Sequence, residues 1–185
     1  MTRGGSAALA VLAAVVVALG LSSCAQPADT ARVNPTSPSA TAAAARAAGE
    51  RALALVTVPA ELGFELEFEP AGADSPRART DLEGRRITVF VRPGDASHRI
   101  AHDIAHEYGH AWDAVHMTAG TRAAYLRARG VPDAEWWPRR ASDYATGAGD
   151  FAEVFAACRA ASPEFRSRLA PAPADPCAML LRAAG

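Results

Sequence analysis

His106-Glu107-Tyr108-Gly109-His110 sets two imidazoles four residues apart, with a carboxylate directly after the first. On a helix this spacing puts both rings on one face about one turn apart, so a single metal ion can accept a nitrogen from each. Glu107 directly follows the first histidine, and its carboxylate can reach water held by such an ion without becoming a ligand. Zinc lowers the pKa of its water from about 15.7 towards 7, which makes Glu107 the natural general base for attack on a carbonyl. Histidines recur at 98, 102, 106 and 110. Each four-residue step turns the helix by about 40°, so His98 and His110 lie about 120° apart and cannot share a site. His102 is therefore read as support behind a ligand, and His98 and His116 as ordinary polar positions.

A catalytic zinc site takes three protein ligands plus water, so a third ligand has to come from elsewhere in the chain. Asp150-Phe151-Ala152-Glu153-Val154-Phe155-Ala156 places two carboxylates among apolar side chains, where burial demands a metal or a cationic partner. At this point the chain resembles the gluzincin metallopeptidases, in particular the compact ones akin to anthrax lethal factor and the proline-proline endopeptidases. The resemblance covers about residues 86–158 and rests on the HExxH segment, Tyr144 and Phe151-Ala152-Glu153. It implies a zinc-dependent endopeptidase in which a Glu-x-Phe-Ala-Glu helix supplies the third ligand from its first Glu. Here Gly149 stands at that place. Asp150, one residue on and beside two flexible glycines, is the expected third ligand, with Glu153 the alternative. If Asp150 is the ligand, Glu153 supports a histidine from behind. Tyr144 matches the family tyrosine that donates to the oxyanion, and Asp113, three residues past His110, is a further supporting candidate.

The elements that must hold these residues are legible in outline. Leu62, Phe64, Leu66 and Phe68 alternate with polar residues, which predicts a half-buried strand over 62–69. A β-rich run predicts a second strand over 87–91, joined to the first in one small sheet and offering an edge along which an extended peptide could lie. A long, largely buried helix is expected from 95 or 97 to 117, others over 121–129 and from 150 to 158, and two short ones near 163 and 176. The expected fold class is α+β: a mainly helical, zincin-like domain with a small N-terminal sheet packed on the HExxH helix.

The chain has 185 residues, enough for one compact domain, and a formal charge of -1. All 19 basic residues are Arg and no basic stripe is present, which argues against a nucleic-acid partner. The basic start and apolar run of residues 1–23 read as a signal peptide. Leu21-Ser22-Ser23-Cys24 resembles a bacterial lipobox, which implies lipidation of Cys24 and an extracytoplasmic, membrane-anchored protein. Residues 24–48 are expected to be an unstructured tether and residues 49–185 the folded domain, in which Cys158 and Cys177 form a disulfide. The expected partner is a peptide or protein substrate. The rival expectation is a non-catalytic envelope lipoprotein that keeps this scaffold for partner or metal binding.

Overall fold

The computed structural model describes residues 38–59 and 62–184; the expected signal peptide, Cys24 and the first part of the expected tether lie outside the described residues. The described chain is α+β, with five helices and one three-stranded sheet. Helix α1 spans Pro38–Leu53, so the expectation of an unstructured chain as far as residue 48 is corrected. Alanine is the best helix former, and this helix needs no large side chains to pack. Ala45 and Ala52 are buried, and a Cβ on Gly49 would stand 2.1 Å from the Phe68 ring, so the helix backbone lies directly against β1.

The sheet comprises β1 (Glu65–Pro70), β2 (Ala78–Asp81) and β3 (Arg86–Val91) in the order β1-β3-β2. β1 runs parallel to β3, and β2 runs antiparallel to it with Thr80 opposite Ile87. β3 is thus the central strand, which explains its continuous run of apolar residues and corrects the expectation that 87–91 offers the edge. The edge beside the histidines belongs to β2. Strand β1 begins later than its alternation suggests because Gly63 takes a left-handed conformation, with φ 63°, and leaves Leu62 in the core ahead of the strand.

Helix α2 (Ser97–His116) carries the HExxH segment and packs against α1, β2 and β3. Its most extensive neighbour is α4 (Gly147–Arg159). Gly109 makes that approach possible: a Cβ there would lie 2.7 Å from the Ala152 backbone. Between the two helices come α3 (Ala119–Ala128) and a single 3-10 turn over Asp143–Ala145. Residues 160–175 form an irregular strap rather than the short helix expected near 163, and α5 (Pro176–Ala184) follows. A disulfide between Cys158 and Cys177 ties the end of α4 to the start of α5. No helix among the described residues is long and apolar enough to cross a membrane.

Candidate metal centre

Buried in the middle of α2, His106 is hydrogen-bonded through both ring nitrogens. Its Nδ1 lies 2.8 Å from Glu153 Oε1, and its Nε2 lies 2.8 Å from Asp143 Oδ2. His110 joins on the second side, with Nε2 3.4 Å from Asp143 Oδ1. His102 joins on the first, with Nε2 3.1 Å from the same Glu153 oxygen. Two sets of ligand atoms among the described residues therefore have the chemistry and spacing to hold a cation. One is His102, His106 and Glu153; the other is His106, His110 and Asp143.

Electrostatics bind each set tightly. Burial alone would raise the Glu153 carboxyl, but hydrogen bonds from His102 and His106 outweigh it and hold the group well below the usual carboxylate range. Asp143 is likewise held low, against burial, by His106 and His110. Burial alone would lower the His106 imidazole; its bonds to Asp143 and Glu153 and the charge of Glu107 instead raise it well above its ordinary value. A proton on Nε2 of His106 thus sits where a cation would sit between the same atoms. Glu153 accepts at both histidines, and its other oxygen accepts the backbone N–H of Arg166, so its hydrogen-bonding capacity is used within the protein.

The two sets differ in access. His102 and Glu153 have no exposed surface at all. His106, His110 and Asp143 line a cleft of about 440 Å³ together with Glu107, Tyr144, Thr80 and Trp137. A larger apolar cavity of about 570 Å³ beside the disulfide, lined by Trp112, Phe155 and Leu181 among others, holds none of His106, Glu107, His110 and Asp143. In the cleft, Glu107 stands next to the ligand atoms, and its Oε2 accepts a 2.7 Å hydrogen bond from the hydroxyl of Thr80 on β2. The Tyr144 ring meets His106 edge-on at 5.6 Å, while its hydroxyl lies 3.3 Å from an Arg166 nitrogen that donates to it.

The expected third ligand, Asp150, is not at this centre. Its carboxylate is fully buried and takes hydrogen bonds from Tyr125, Arg129 and Ser167 at 2.5–2.9 Å. It points away from the cleft, toward Tyr125 and Arg129, because the Arg129 side chain, 4% exposed, is a buried cation that needs a partner. Nor does it cap the helix: Thr146 does, accepting from the Gly149 N–H at 2.8 Å. Glu153 reaches the histidines but from behind the cleft. Asp113, expected as support for His110, instead binds Arg122 and the Trp136 indole N–H. Asp143 occupies the vacant place. A Cβ on Gly149 would stand 2.0 Å from the Asp143 carbonyl oxygen and 2.9 Å from its carboxylate, so the missing side chain at 149 makes the room that residue 143 fills. The sequence signal was slight: an acidic residue directly before the tyrosine already singled out. Thr80 gave no signal in the sequence.

No family model, curated protein or solved structure matches this chain. The site stands on its own geometry.

Proposed function

We propose that this protein is a zinc-dependent endopeptidase of minimal gluzincin-like design in which Asp143 replaces the helical glutamate as third ligand. The observation that carries this reading is the cleft itself, where the Glu107 carboxylate stands beside three convergent ligand atoms that are open on one side. The donor set suits zinc: two imidazole nitrogens and one carboxylate oxygen, with separations of 2.8 and 3.4 Å to the Asp143 oxygens. The three ligand atoms all lie within 4.8 Å of one another, and tetrahedral ligands at zinc distances stand about 3.3 Å apart, so holding the ion draws them closer. Bound there, zinc supplies Lewis acidity, acidifying water and polarising a carbonyl.

The chain's own groups do the rest. Glu153 accepts the Nδ1–H of His106, which directs the lone pair of Nε2 into the cleft. Thr80 holds one oxygen of Glu107 and leaves the other free to take a proton from the attacking water. Tyr144 lines the same cleft and is the group placed to donate to a developing oxyanion, with Arg166 orienting its hydroxyl. The leader and lipobox reading puts this chemistry on the outer face of a membrane.

The experiment is zinc analysis of the purified protein together with chelator-sensitive cleavage of a mixed peptide pool. Glu107→Gln is expected to keep zinc and lose turnover on the order of 10³-fold. Unchanged turnover in that variant overturns the mechanism. The second reading, an envelope lipoprotein without turnover, draws on one observation: Gly149 stands where the resembling helix carries its ligand Glu.

A further inference from the structure

Among the described residues, Leu82 and Trp137, 45% and 52% exposed, are two of the few large apolar side chains left open to solvent, and both line the cleft that holds His106, Glu107 and His110. Exposed apolar side chains scattered singly mean little, but a pair gathered at a concave polar centre is what apolar ligand recognition uses. The position of Trp137 is built by its neighbour. Trp136 donates its indole N–H to buried Asp113 at 2.8 Å, lies 5.5 Å from the Arg122 guanidinium and meets Tyr125 edge-on. The carbonyls of Glu135 and Trp136 accept from the N–H groups of Gly147 and Ala148, at 2.9 and 3.1 Å, and fix the loop to the start of α4. One tryptophan is anchored so that the next is presented.

The Trp137 ring centre lies 5.4 Å from that of His110. A residue in an extended peptide advances about 3.3 Å, so a side chain touching Trp137 belongs to a residue directly beside a carbonyl held at His110. Apart from Glu107, the charged side chains of the cleft are already paired within the protein. Arg77, the arginine of its lining, is paired with Asp95 at 3.0 Å and Asp103 at 2.7 Å, and Asp143 faces the histidines. An acidic substrate side chain finds no unpaired cation there.

Building on the peptidase reading, we infer that Trp137 and Leu82 form an apolar subsite that selects peptides with a large apolar side chain directly flanking the scissile bond. Trp137 is the specificity-determining residue and Leu82 the opposing wall.

The test measures binding separately from turnover. Zinc-loaded protein carrying Glu107→Gln is titrated, by fluorescence anisotropy, into dye-labelled short alanine-based peptides with Phe, Leu, Ala or Asp at the central position. Phe and Leu peptides are expected to bind about tenfold tighter than Ala and Asp peptides. Adding Trp137→Ala or Leu82→Ser removes the preference, and Trp137→Phe retains most of it, with zinc content and thermal stability unchanged because both side chains are exposed. Equal affinities, or a preference that survives Trp137→Ala, overturn the subsite. In parallel, wild-type protein digests a mixed peptide pool and the cut sites are read by mass spectrometry. Large apolar residues on one side of the cut are expected, and random flanking residues overturn the proposal. Absence of any chelator-sensitive cleavage, with the binding preference intact, overturns the peptidase reading while the apolar subsite stands.

Discussion

The two sides of the His106 ring differ more than their near-identical hydrogen-bond lengths suggest. On the Nδ1 side, Glu153 and His102 are completely buried and every carboxylate oxygen is used by a protein donor. On the Nε2 side, Asp143 keeps 37% of its side chain exposed, and the cleft opens past Glu107. Both sides have ligand-like atoms, yet only one has an open position. A carboxylate buried on every side with both oxygens bonded by protein donors fixes a scaffold, whereas one with an exposed side can hold an ion and admit a substrate.

That contrast breaks first at Asp143. Asp143→Ala is expected to lower zinc affinity by at least about 100-fold, above the effect of removing a supporting residue, and to abolish cleavage while the fold persists. Isothermal titration with zinc and circular dichroism check both halves. Glu153→Ala should show the reverse emphasis. It leaves two buried imidazoles and the Arg166 N–H without their acceptor, and stability falls by about 3 kcal/mol in denaturant unfolding. If the Glu153 variant is as stable as wild type, the scaffold assignment fails.

Finer differences sharpen the same comparison. Thr80→Val removes the hydroxyl that holds Glu107, and kcat should fall about tenfold with KM little changed, an effect that Thr80→Ser restores. The smallest expected effect is a pH dependence. Because the folded His106 value is raised, the stability it contributes to metal-free protein is complete below the unfolded imidazole pKa, about 6.5, and drains away as pH rises through the folded value. Melting temperatures of chelator-treated protein should therefore decline from pH 6 to pH 9. Zinc-loaded protein, whose His106 Nε2 carries no proton, should lack that decline.

How much of this was readable in the sequence depends on how local each cause is. The HExxH helix was legible because its spacing, its apolar company and the Pro93-Gly94 turn before it all lie within one stretch. β2 was not: Ala78-Arg79-Thr80-Asp81 has no apolar alternation, and the segment becomes a strand only by pairing with β3. α1 was missed because its buried face consists of Ala and Gly, whose packing value comes from the closeness of Phe68 rather than from their own bulk. The centre itself was half legible. The two histidines and Glu107 are fixed by helical geometry, but the direction of Asp150 is decided by Arg129 and Tyr125, more than twenty residues away. The arrival of Asp143 depends on space left by a side chain that Gly149 lacks, a cause no spacing rule contains. The cysteines were simpler, since a pair 19 residues apart at two helix ends needed only proximity.

The most direct test is anomalous scattering at the zinc edge from crystals grown with zinc. The account predicts one peak in the cleft, bonded to His106 Nε2, His110 Nε2 and an Asp143 oxygen, with Glu107 beside it and unbonded. A peak between His102 and Glu153, or a cleft peak that Asp143 does not touch, contradicts it.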